Sequence, residues 1–62
     1  MKIEFSIHTM SRKLKISKAE IGVKHLTAST VEELNDTIKS CTLKSIIYKD
    51  RYFIVKIKEI NS

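Results

Sequence analysis

The side chains able to do covalent chemistry are few and scattered. His8, His25 and Cys41 are the general bases and soft ligands of a chain of 62 residues. A nucleophile needs a base within hydrogen-bond reach and usually a third group that orients the base. Serine, histidine and aspartate all occur, but at no spacing that implies a triad. His8 and His25 could meet across a sheet; as partly exposed strand or loop residues they need no such role. Glu32 and Glu33 are neighbouring carboxylates, yet carboxylates that work as a pair flank a cleft. A domain this small rarely forms a pocket of several hundred cubic ångström, so no enzymatic activity is expected.

A structural zinc site wants four ligands, commonly in closely spaced pairs. Three scattered singles do not provide them, and no metal or other cofactor is expected. The single glycine, Gly22, excludes a glycine-rich phosphate loop. Cys41 has no partner for a disulfide within the chain. A lone thiol suits a reducing compartment, which makes the cytoplasm the expected location.

The chemistry that remains is charge. The net charge is +5, and it is unevenly placed. Arg12, Lys13, Lys15, Lys18 and Lys24 face only Glu20 in residues 11–28, and Lys44, Lys49, Arg51, Lys56 and Lys58 face only Asp50 in residues 43–58. Between these basic blocks, residues 29–41 hold Glu32, Glu33 and Asp36 against Lys39. Lysines aimed at phosphates bind by counterion release, and an aromatic ring among them can stack on a base. Lys13, Lys15, Arg51, Tyr52, Lys56 and Lys58 are therefore candidate nucleic-acid contacts. Only two arginines are present to read guanine bidentately, and Glu4 and Glu59 interrupt the field. Lysines also keep sheet edges from pairing with other chains, which is reason enough for many of them.

The segment YKDRY offers a different chemistry. It gathers Tyr48, Lys49, Arg51 and Tyr52, and tyrosine and arginine are the types that dominate protein–protein hot spots. These four residues are candidate contacts to a protein partner.

The elements that must position these groups follow from periodicity. Ile3, Phe5 and Ile7 alternate with Lys2, Glu4, Ser6 and His8, the pattern of a half-buried strand. Thr9–Arg12 reads as a hairpin loop. Leu14 and Ile16 alternate with Lys13 and Lys15 in a second strand. Residues 18–28 read as a further strand, since Gly22 and the β-branched residues weigh against the helical alternative. In STVEELNDTIKSC, the spacing of Val31, Leu34, Ile38 and Cys41 makes one helical stripe. Thr30 and Glu33 form a capping box, predicting a helix over 30–41. Ser45–Lys49 and Tyr52–Ile60 read as two last strands, with Asp50 in the turn.

The expected fold is α+β. A small, mainly antiparallel sheet of four to five strands carries one helix on one face, in the order β-β-(β)-α-β-β. Ile3, Phe5, Ile7, Leu14, Ile16, Phe53, Val55 and Ile57 point inward; Lys2, Glu4, Lys13, Lys15, Tyr52, Ile54, Lys56 and Lys58 point outward, giving a lysine-rich open face. A winged helix-turn-helix, with helices over 18–34 and a wing over 45–58, is the competing arrangement. It puts Lys18 where such motifs want a small residue.

The chain makes a single domain, 1–62, whose stability is expected at roughly 3–5 kcal/mol. A second copy is the cheapest additional core, so a homodimer is expected, and exposed Ile54 and Ile60 point to an interface that extends the sheet. Lys2 and Glu4 break the only N-terminal apolar run, so neither a signal peptide nor a membrane span is expected. The chain begins at Met and reads as a complete small gene product. Ten lysines and ten isoleucines fit an AT-rich genome, such as that of a virus or mobile element. The expected function is non-enzymatic: a regulator or inhibitor that contacts a protein partner, with nucleic-acid binding as the alternative.

Overall fold

The computed structural model describes residues 1–13 and 20–62. The described residues form β1 (Lys2–Ser11), β2 (Glu20–Ala28), α1 (Val31–Ile47) and β3 (Arg51–Asn61). The sheet has three strands in the order β2-β1-β3, with β1 antiparallel to both neighbours. This corrects the expectation of four to five strands, as the order is β-β-α-β. The strand expected through Leu14 and Ile16 lies outside the described residues. Residues 20–28 form a strand, which excludes the winged helix-turn-helix.

The strand expected over Ser45–Lys49 is instead the last part of α1 and the turn after it. Ile46 and Ile47 have high strand propensity, but a larger demand decides their conformation. Strands of 10 and 11 residues run about 33–36 Å. A helix over 30–41 alone would cover about 18 Å of that length, whereas the observed 17 residues cover about 25 Å. Continuing the helix carries the chain toward the far end of the sheet, where β3 starts opposite Ser11, with its backbone hydrogen bonds made. Likewise Thr9–Ser11, expected in a loop, stay in β1 because both neighbouring strands reach that far: Thr9 pairs with Gly22 and Phe53, and Ser11 with Arg51.

The N-terminus of α1 is built as its sequence requires. Thr30 is extended, and its Oγ accepts the Glu33 N–H at 3.1 Å. The Glu33 carboxylate reaches back to the Ser29 N–H at 2.8 Å, one residue before the cap. Further along, the hydroxyls of Thr37, Thr42 and Ser45 donate to helix carbonyls within four residues of their own positions. These polar side chains therefore leave no unmet demand on the sheet side.

Two β-bulges set the faces. The inner face of β1 is Ile3, Phe5 and Ile7, matched by Ala28 and Leu26 on β2 and by Ile57 and Val55 on β3. The β3 register slips between Glu4 and Phe5 of β1, leaving Lys58 unpaired and turning Ile60 to the inner face opposite Ile3. Ile54 and Ile60, of equal parity, thus lie on opposite faces. The second slip falls in β2 at Ile21 and puts Glu20 opposite Met10 on the open face.

β2 and β3 both run against β1, so the chain must cross β1 to pass from one to the other. α1 makes that crossing. It begins just after β2 and ends just before β3, so it runs diagonally. Near its start Leu34 packs with Ile3, Phe5 and Ala28, the buried hydrophobic residues among those described. Ile7, Leu26 and Val55 pack partly against them. The expected stripe is rotated: Leu34, Thr37, Cys41 and Ser45 turn inward, while Val31 and Ile38 are exposed.

The diagonal leaves two corners of the inner face uncovered. One lies against β2, where a groove of about 380 Å³ is bordered by Thr9, Gly22, Lys24, Ser40, Cys41 and Lys44, among others. The other lies at the end of β3, where Ile57 and Ile60 are exposed. No residue described, glycine included, adopts a positive φ.

Candidate functional site

The end of the sheet where β1 stops, β2 starts and α1 hands over to β3 carries Arg12, Lys13, Lys44, Lys49 and Arg51. Lys44 lies in the last turn of α1; Tyr48, Lys49 and Asp50 form the link; Arg51 and Tyr52 open β3. The Tyr48 N–H donates to the Lys44 carbonyl at 2.8 Å and closes the helix. The Arg51 N–H reaches the Tyr48 carbonyl at 3.4 Å and closes the turn.

Arg12, just past β1, ties this turn to the sheet. Its backbone N–H donates to the Asp50 carbonyl at 2.8 Å, and its Nε donates to the Arg51 carbonyl at 3.3 Å. The two arginines then sit over the two tyrosines. Arg12 Cζ is 5.1 Å from the Tyr52 ring centroid, and Arg51 Cζ is 5.1 Å from that of Tyr48. Both distances are inside the range in which a ring quadrupole attracts a cation. Arg51 Nε also donates to Asp50 Oδ1 at 3.3 Å. That guanidinium, as hydrogen-bond donor and as opposite charge, holds the Asp50 carboxyl below its ordinary value. Both stacks stand at this end of the sheet, and Tyr48 is half exposed there.

The candidate protein contacts Tyr48, Lys49, Arg51 and Tyr52 are thus brought together. Arg12 belongs with them and was not singled out from the sequence. It stands 39 residues from Arg51, and only the β1–β3 register reveals the pairing. The opposite end of the molecule is acidic. Glu4 and Glu59 face one another across β1 and β3, and Glu32 and Glu33 lie in the first turn of α1.

The nucleic-acid candidates are not brought onto one platform. Lys13 follows the end of β1 near Asp50, and Lys15 lies outside the described residues. Lys56 stands opposite Ser6 on the open face and Lys58 occupies the bulge. Lys56 is five residues from Arg51, about 17 Å along the strand. The open face as described is mixed rather than lysine-rich. Glu4, Ser6, His8 and Met10 run down its centre, between Val23, His25 and Thr27 on one side and Tyr52, Ile54, Lys56 and Glu59 on the other. Lys2 pairs with Glu4 at 3.5 Å.

That face also holds a constellation the sequence concealed. Ser6 Oγ lies 2.8 Å from His8 Nε2, and His8 Nδ1 meets the Glu20 carboxylate. Ser6 and His8 share a face by strand parity, and the β2 bulge delivers Glu20. His25 pairs with Ser6 and Val23 with His8, so the two histidines are diagonal neighbours. The serine, histidine and carboxylate are in the order of a nucleophilic relay. Stabilising an oxyanion takes preorganised donors such as free backbone N–H groups, whereas β1 is the central strand and its backbone groups serve two ladders. Among the described residues, no group of three or more His, Cys, Asp and Glu could hold a metal ion. Nor is any described helix long and apolar enough to cross a membrane.

Comparison of the chain with protein-family models, curated proteins and solved structures finds no match. Function must be read from the geometry.

Proposed function

We propose that this chain is a small non-enzymatic binding protein of the cytoplasm, a regulator or inhibitor that acts as a homodimer on a protein partner. Its contact surface is Tyr48, Lys49, Arg51 and Tyr52, completed by Arg12. The observation that carries this reading is the double arginine–tyrosine stack, pinned by the Arg12–Asp50 backbone bond. Hot-spot residues bind well when they are large, rigid and already ordered, because less side-chain entropy is lost on association. The surrounding charge, with Lys13, Lys44 and Lys49 beside the two arginines, selects an acidic surface on the partner. A viral or mobile-element source, suggested by the composition, fits a small interfering protein of this kind.

Capture of partners from the source cell tests the reading. Arg51→Glu and Arg12→Glu should each remove the specific partner while leaving the fold intact by circular dichroism. An unchanged set of captured proteins in both variants would clear this end of the role. The non-enzymatic part has its own test. Covalent labelling of Ser6 by a fluorophosphonate, lost in His8→Ala, would make the chain a hydrolase instead.

Nucleic acid is the second reading, favoured by the same planes and cations at the Arg51–Tyr52 end. Titration with labelled single- and double-stranded oligonucleotides at low and high salt decides it. Contacts to several phosphates require affinity that falls steeply with salt; no binding at low salt removes this reading.

A further inference from the structure

The exposed apolar surface is not scattered. Ile57 and Ile60 are 47% and 60% exposed on the inner face of β3, although their parity directs them at the helix layer. Ile38, Thr42 and Ile46 are spaced by four and form one ridge of α1. Ile38 and Thr42 of that ridge border the depression against β3, and Ile46 beyond them is 65% exposed. Val31 lies two turns before Ile38 on the same side and is also exposed. Beside all of these runs β3, a strand of 11 residues at the edge of the described sheet, whose outer backbone groups have no sheet partner among the described residues.

The exposed apolar residues lie along one edge rather than singly over the surface: Ile38, Ile46, Ile57 and Ile60 belong to α1 and β3 and are all exposed. Apolar surface gathered in this way and rimmed by charge marks an interaction site.

We infer that the occupant is a second copy of this chain, joined edge to edge through β3. This rests on the homodimer reading above and gives it a surface. A two-fold axis normal to the sheet, near the middle of β3, pairs the two edges antiparallel and makes a six-stranded sheet with both helices on one side. The diagonal of α1 makes the surface fit itself. Near the start of β3 the last turns of α1 present the exposed Ile46; toward the end of β3 Ile57 and Ile60 are bare. The axis exchanges these two ends, so the Ile46 end of each copy is brought to the bare corner of the other. It also lays the basic end, with Lys49 and Arg51, beside the acidic end, with Glu59, Glu32 and Glu33, at both ends of the interface. An isologous contact requires this self-complementarity.

Sedimentation equilibrium of the full chain over a range of concentrations tests the proposal. A dimer is expected, and Ile57→Lys and Ile46→Lys should each weaken it by about thirtyfold or more, as loss of a hot-spot residue does. Val23→Lys, on the open face of the far strand, should leave it unchanged. Circular dichroism checks that each variant folds. Hydrogen exchange of the unmodified chain gives a readout that needs no variant: β3 amides should gain protection as protein concentration rises, and β2 amides should not. A monomer at every concentration overturns the proposal and the homodimer reading together. A dimer that ignores both isoleucine substitutions, or protects β2 instead, overturns the β3 edge alone and leaves the homodimer standing.

Discussion

The two ends of the sheet are held together by different forces. At one end Leu34 of α1 closes over Ile3, Phe5 and Ala28, and the attachment is apolar. At the other, Arg12 reaches across to the α1–β3 link with a backbone hydrogen bond, a side-chain hydrogen bond and a stacked guanidinium. The apolar end excludes water from the molecule's own side chains, while Ile57 and Ile60 of β3 stay exposed beside it. The basic end is ordered without being buried, so the same groups that hold it remain free on their outer faces. Order without burial is what a recognition surface needs, since burial hides the groups and disorder makes their capture expensive.

The largest test of this contrast is Phe5→Ala. Phe5 is almost fully buried, and its truncation should remove about 3–5 kcal/mol. That is as much as a domain of this size possesses, so the chain should show no cooperative urea transition by circular dichroism. Equal damage from Tyr52→Ala would abolish the distinction between the ends. Next in size is Thr30→Ala, which removes the oxygen that holds the Glu33 N–H. A loss of about 1 kcal/mol is expected, read from the urea midpoint, because the cap fixes the turn that carries Leu34. At the basic end, a double-mutant cycle on Arg12 and Tyr52 should give a coupling of about 0.5–1 kcal/mol. A coupling near zero would show the stack to be incidental. The smallest effect belongs to Asp50. Its carboxyl is held below the ordinary value by Arg51, so its stabilising contribution is present above the unfolded-state value of 3.8. It is lost as pH falls through the lower folded-state value. Asp50→Asn should therefore leave stability at neutral pH slightly reduced and flatten the acid limb of the profile; an unaltered acid limb would remove Asp50 from the turn's electrostatics.

The fold was legible wherever local pattern and tertiary demand agree. Ile3, Phe5 and Ile7 share the inner face with Phe53, Val55 and Ile57, as their alternation requires. Thr30 caps α1 as its spacing from Glu33 requires. The pattern failed where a neighbour decided the matter. Ile46 and Ile47 favour a strand in isolation, but the length of the sheet keeps them helical. Thr9 and Met10 are paired on both sides, and nothing in their own types announces it. The bulge at Lys58 shifts parity with no glycine beside it, and only the one at Ile21 adjoins Gly22, so the outward lysines could not be placed from alternation alone. The candidate site shows the same division. Tyr48, Lys49, Arg51 and Tyr52 are contiguous and were visible; Arg12, and the meeting of Glu20 with His8, depend on register and were not.

The link from Tyr48 to Asp50 reverses the chain without glycine, proline or any left-handed residue. Positions with ordinary backbone angles accept nearly every side chain without strain. The tip can therefore be rewritten letter by letter while the scaffold beneath it stays folded, so the proposed contact surface is open to change through point mutations alone.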